Sequence, residues 1–93
     1  MPERARLGAV VHGIVQDVSF RYYARREANQ LNLTGWVKNR WDGTVEVVVE
    51  GDRNRLEKFL AWLYRGPGAA VVEKVDVYWT EATDEFNFFE VRY

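Results

Sequence analysis

The chain has 93 residues, a formal net charge of −1, no cysteine and a single histidine, His12. That length suits one domain, residues 1–93, with a real core and a modest stability margin. The composition excludes disulfides, thiolate metal sites, cysteine nucleophiles and multi-histidine metal centres, and the near-neutral charge argues against nucleic-acid binding through a basic surface.

With 47% hydrophobic residues, general disorder is excluded. No apolar run is long enough to span a membrane, and Met1 to Arg6 has no apolar signal region behind it. The expectation is a soluble, cytoplasmic, monomeric domain.

Leu7 to Gly13 predicts the first strand, with Ala9 and Val11 on one face and Val10 and His12 on the other. Gly13-Ile14-Val15-Gln16-Asp17-Val18-Ser19-Phe20-Arg21 then carries the chain into a helix, with Ser19 as its N-cap. Phe20, Tyr23, Ala24, Ala28 and Leu31 form its apolar stripe, and Arg25 and Arg26 its solvated side; the helix ends near Asn32. Leu33 to Arg40 predicts a second strand. Trp41-Asp42-Gly43 is a turn, and Thr44 to Glu50 a third strand, giving a β-hairpin with Val45, Val47 and Val49 inward and Glu46 and Glu50 exposed. Gly51 breaks that strand, and Asp52 caps a second helix whose buried stripe is Leu56, Phe59, Leu60 and Leu63. Gly66-Pro67-Gly68 stops the helix. Val71 to Thr80 is a fourth strand, and a short last strand around Phe88 to Tyr93 closes the core.

The order predicts an α+β, ferredoxin-like βαββαβ sandwich: a mainly antiparallel sheet with two helices on one face and a short extra C-terminal strand. Such folds host many functions, so function has to be read from the site. An RNA-recognition module needs exposed aromatics on its central strands, and here the third strand alternates valine with glutamate. A metal carrier needs paired thiolates, which are absent.

Two stretches carry chemistry. Amides at a helix start lack partners inside the helix and, with the helix dipole, favour an anion. Arg21 in the first turn opposes that dipole, so it reads either as an anion ligand beside the loop amides or as a surface arginine. Asn39, just before the hairpin turn, is a common turn residue that gains meaning only if the second strand lies near that loop. Trp36 reads as core or edge packing and Trp41 as a partly exposed turn residue.

Taken together, the two stretches resemble the acylphosphatase family. That family carries Gly-x-Val-Gln-Gly-Val-x-Phe-Arg, then Gly-Trp/Tyr-x-x-Asn followed by Asp-Gly-x-Val-Glu. Here these stand as Gly13, Val15-Gln16, Val18, Phe20-Arg21, then Gly35-Trp36, Asn39, Asp42-Gly43 and Val45-Glu46. The resemblance covers nearly the whole chain in register. It implies hydrolysis of the carboxyl–phosphate anhydride of small acyl phosphates to carboxylate and inorganic phosphate, with no metal or other cofactor. By the same resemblance Arg21 binds the phosphoryl group together with the amides of Gln16, Asp17, Val18, Ser19, Phe20 and Arg21, Asn39 positions the attacking water, and a phosphoryl oxygen takes its proton. The chemistry is consistent: a leaving carboxylate whose acid has a pKa of roughly 4 departs as an anion without a general acid. Phosphoryl transfer depends mainly on positioning and charge stabilisation.

One position departs from the pattern: Asp17 stands where the family has glycine. Aspartate tolerates positive φ better than most residues but adds bulk and charge. A carboxylate about 4 Å from a phosphate costs ~1 kcal/mol in water and up to ~4 kcal/mol at a protein surface. The alternative reading is therefore a non-catalytic or activity-impaired acylphosphatase-like domain. A ligand- or RNA-binding ferredoxin-like module is a more distant third.

Overall fold

A computed structural model describes residues 3–93. Its elements are β1 (Arg4–Ile14), α1 (Phe20–Gln30), β2 (Thr34–Asn39), β3 (Val45–Asp52), α2 (Arg53–Arg65), β4 (Val71–Thr80) and β5 (Phe89–Arg92). The five strands form one sheet in the order β4-β1-β3-β2-β5, antiparallel except for β5, which runs parallel to β2. This is the expected α+β, ferredoxin-like sandwich with its extra C-terminal strand.

Alternation sets the layers. Ala5, Leu7, Ala9 and Val11 of β1 and Val45, Val47 and Val49 of β3 are buried and meet the helices. From α1 they meet Phe20, Ala24 and Ala28, and from α2 Leu56, Phe59, Trp62 and Leu63. Tyr23, expected on the α1 stripe, is exposed, and Leu60, expected on the α2 stripe, is only half-buried. Trp62 takes the core position because the end of α2 meets the start of α1: the Phe20 and Trp62 ring centroids are 5.4 Å apart. Truncating either ring to alanine would cost about 3–5 kcal/mol and unseat the loop before α1.

Three further expectations are corrected. Gly51 does not break the third strand: it pairs with Ala5 inside β3, and a β-carbon there would lie 2.4 Å from the Leu33 Cδ2. β1 starts at Arg4, earlier than expected, because Arg4, Ala5 and Arg6 pair with Asp52, Gly51 and Glu50. Glu50 is buried rather than exposed. Burial alone would raise its carboxyl pKa, but the Thr83 amide, the Arg6 guanidinium, the Asp84 amide and the Thr83 hydroxyl hold it below the usual carboxylate range. The cap expected of Asp52 is present, its carboxylate accepting from the Asn54 amide at 2.9 Å.

His12 points to the helix-free face, where its Nε2 lies 2.8 Å from the Asp76 carboxylate, a structural pairing. On the same face Trp36 lies half-buried beneath Arg92 and Lys38. Among the described residues no helix is long and apolar enough to cross a membrane.

Candidate active site

The β1–α1 loop is shaped by its backbone. At Gly13 the β1–β4 register shifts, and φ is +128°; a β-carbon there would sit 2.0 Å from the Val71 carbonyl oxygen, so only glycine fits. Asp17 and Ser19 both have φ of 60°, whereas Val18 between them does not enter the left-handed region. Such alternation turns successive N–H groups towards one side and makes an anion-binding concavity. Among the described residues, no hydrogen bond links an amide of residues 16–21 to another part of the chain.

Ser19 is at the N-cap position, but its side chain caps nothing, in contrast to the sequence expectation. The reason is conformational: a capping side chain needs an extended N-cap residue, and Ser19 is left-handed with ψ of 26°. The first turn of α1 holds no acidic residue, so its amides and Arg21 face the loop without a competing carboxylate from the helix.

Gln16 ties this loop to the β2–β3 hairpin. Its Nε2 donates to the carbonyls of Arg40, at 2.8 Å, and Thr44, at 2.9 Å. The hairpin is itself closed by Asp42, whose Oδ1 accepts from the Thr44 hydroxyl at 2.6 Å and the Thr44 amide at 3.0 Å. These bonds, the hydroxyl first, hold the Asp42 carboxyl below its ordinary range. The loop and the hairpin are thus one unit, and it brings Asn39 beside Arg21.

Between them lies an open cleft of about 400 Å³, bordered by Asp17, Ser19, Arg21, Arg25, Asn39 and Tyr93. Among the described residues the Arg21 guanidinium has no carboxylate partner; its Nη1 donates to the Arg92 carbonyl at 3.1 Å and its carbon lies 4.6 Å from the Tyr93 ring centroid. Arg25, expected on a solvated face, is exposed but lies one turn beyond Arg21 on the same cleft. Tyr93 escapes the sequence reading because the aromatic end of the chain reads as core closure, a role that Phe89 fills with Val91 packed beside it.

The expected set is brought together unevenly. Arg21, Asn39, Asp17, Ser19 and Phe20 border the cleft. The Val18 side chain packs against the core and the Gln16 side chain serves the hairpin, which leaves each only its amide for a ligand. Asp17 is exposed, and among the described residues its carboxylate makes no hydrogen bond or ion pair. Trp41, at the hairpin tip, is fully exposed rather than partly so.

Comparisons with known proteins bear on the family and the fold. The family described as Acylphosphatase matches residues 7–91. An acylphosphatase of Pelotomaculum thermopropionicum is 49% identical over 90 residues, covering 97% of this chain and 98% of that protein. The crystal structure of acylphosphatase from Bacillus subtilis aligns with a TM-score of 0.92 at 35% identity, covering 96% of this chain and 99% of that one. For the acylphosphatase structure from Coxiella burnetii the TM-score is 0.87 at 38% identity, covering 97% and 94%.

Proposed function

The chain belongs to the acylphosphatase family, and we propose that it hydrolyses small acyl phosphates in the cleft between residues 16–21 and Asn39. One observation carries this reading: among the described residues the amides of residues 16–21 have no partner elsewhere in the chain, and Arg21, without a carboxylate partner there, borders the same cleft as Asn39.

In this reading the phosphoryl oxygens occupy the concavity of amides from Gln16, Asp17, Val18, Ser19, Phe20 and Arg21. The Arg21 fork neutralises the charge that builds on them, which a lysine does poorly for want of two parallel donors. The Asn39 amide holds a water for attack. The water oxygen bonds to phosphorus while the bond from phosphorus to the carboxyl oxygen breaks. The electron pair leaves with the carboxylate, and the water's proton passes to a phosphoryl oxygen, giving inorganic phosphate. No protein base or acid is required, because the leaving group is already a stable anion. Asp17 does not displace this reading, since Arg21 and Asn39 are both present and the relatives are acylphosphatases. The same reading takes residues 1–93 as one domain that works as a cytoplasmic monomer without cofactor; sedimentation and cell fractionation check those two assignments.

The test is turnover of benzoyl phosphate by the purified full chain, with and without EDTA, against an Arg21→Ala control. Hydrolysis that survives EDTA and disappears in the control is expected. No turnover above the control overturns the enzyme reading, and loss of turnover with EDTA overturns the metal-free mechanism.

A further inference from the structure

The β1–α1 loop is a ridge with a depression on each side. One is the cleft that holds Asn39. The other measures about 570 Å³ and is walled by Val18, Tyr23, Trp62, Pro67 and Ala69, with Asp17 and Ser19 on the shared ridge. The two sides belong to different halves of the fold. α1 packs over β2 and β5, whereas α2 packs over β4, β1 and β3, so Asn39 lies towards one half and the α2–β4 connection towards the other.

In-line displacement at phosphorus puts the attacking and leaving oxygens on opposite sides. With water at Asn39, the acyl oxygen departs away from β2 and over the ridge. We propose that the depression between Tyr23 and the 67–70 turn receives the acyl group of the substrate, and that Asp17 selects uncharged acyl groups over those bearing a second anion. This rests on the assignment of Arg21 and Asn39 above.

The walls fit an uncharged, flat or aliphatic group. They offer the Tyr23 and Trp62 rings, the Pro67 ring and the Ala69 methyl; among the described residues no lysine or arginine borders the depression, and Asp17 is its one charged residue. Its shape is held from below. Phe20 packs on Trp62, and the turn is closed by the Ala70 amide donating to the Pro67 carbonyl at 2.9 Å. The basic side chains near the site lie elsewhere. Lys38 and Arg40 border a groove on the hairpin side, with Asn39, and Arg25 lies along α1. An acyl group lying along α1 would meet Arg25 and favour a second anion, so the two placements make opposite predictions.

The experiment compares kcat/KM for acetyl, benzoyl and succinyl monophosphates in the full chain and in Asp17→Asn, Ala69→Trp and Arg25→Gln. The wild-type chain is expected to disfavour the succinyl substrate against the benzoyl one by roughly 3- to 10-fold, the repulsion of partly screened charges a few ångströms apart. Asp17→Asn abolishes that ratio. Ala69→Trp fills the depression and lowers the benzoyl-to-acetyl ratio by roughly fivefold or more, while inhibition by inorganic phosphate stays the same. Turnover with ratios that move in neither variant overturns the inference alone, as does a preference for the succinyl substrate that is lost in Arg25→Gln. No turnover of any of the three overturns the site assignment and the inference together.

Discussion

The guanidinium carbon of Arg21 lies 4.6 Å from the Tyr93 ring centroid, and the same side chain donates to the carbonyl of Arg92. β5 therefore orients a residue of α1. Because Lys38 pairs with Arg92 in the parallel β2–β5 ladder, Asn39 and Tyr93 follow at the ends of neighbouring strands. One strand pair thus delivers both the Asn39 amide and the ring beside the Arg21 guanidinium. A cation–π contact at an exposed position is worth about 0.5–1 kcal/mol, so Tyr93→Ala should lower kcat/KM by roughly 2- to 5-fold. Tyr93→Phe keeps the ring and should restore it. Steady-state kinetics on the two variants decide the matter, and equal rates for Ala and Phe would remove the ring from the arginine's support.

Arg21 and Asn39 should fail in different ways. In the proposed mechanism Arg21 acts on charge that grows in the transition state and on bound phosphate, so Arg21→Ala should cost about 3–4 kcal/mol in kcat/KM and also weaken phosphate inhibition. Arg21→Lys should recover little of it. On the same proposal Asn39→Ala removes the anchor of the attacking water and should lower kcat by roughly 100-fold while inhibition by inorganic phosphate stays within twofold. Finding that both variants weaken phosphate inhibition equally would deny Asn39 its role on the water.

Local chemistry made much of this legible in the sequence. The β2–β3 hairpin follows from Asp42-Gly43 between alternating runs, and the span of β4 matches the apolar alternation of Val75, Val77 and Trp79. Arg21 and Asn39 stood out because motif residues keep their spacing along the chain. What could not be read are features made by distant pairing. Trp62 displaced Leu60 from the core because Phe20 waits across the helix interface. Tyr93 reached Arg21 only through the β5 register, and Ser19 had the right side chain for a cap but the wrong φ.

At Asp17 the backbone already has the φ that a glycine would adopt freely. Asp17→Gly relieves left-handed strain of about 1 kcal/mol and adds unfolded-state entropy of similar size, so the unfolding midpoint should barely move. The lost charge should show instead in binding: inhibition by inorganic phosphate should tighten by roughly 3- to 10-fold. Unchanged inhibition would place the carboxylate away from the anion.

Gln16 gives a test of how the hairpin is joined to the phosphate loop, because its amide donates to two carbonyls at once. Gln16→Ala should cost about 1–2 kcal/mol of stability and lower kcat modestly. Gln16→Glu replaces the donor with an anion facing two carbonyl oxygens, so it should be the worse of the two in both thermal unfolding and kcat. The reverse order would mean that the amide's two bonds do not hold Asn39 in place.

Glu50 is buried in the face away from the helices, where its carboxylate accepts from Arg6 Nε at 2.6 Å, from the Thr83 amide at 2.9 Å and hydroxyl at 3.1 Å, and from the Asp84 amide at 2.9 Å. Arg6 also reaches Glu85 and lies over the Phe86 ring, so one carboxylate anchors the segment between β4 and β5 to the sheet. Despite the cost of burial, these partners hold the Glu50 pKa below its unfolded value, and the unfolded chain takes up the proton first as pH falls. The stabilisation is therefore fully present above the unfolded carboxyl pKa of about 4.3 and is lost as pH drops through the lower folded value. Arg6 is 23% exposed at its side chain, which trims the value of the pair. On that footing Glu50→Gln should cost about 2–3 kcal/mol at pH 7. Asp42 and Asp76, also held low, do not touch Glu50 and cancel between the two thermal-unfolding curves, whereas Glu85 shares Arg6 and Thr83 with Glu50, so the difference reads that one cluster. That difference should be constant from pH 7 to about pH 5 and shrink towards pH 3. A gap that persists undiminished at pH 3 would mean that shape at position 50, and not its charge, holds the segment down.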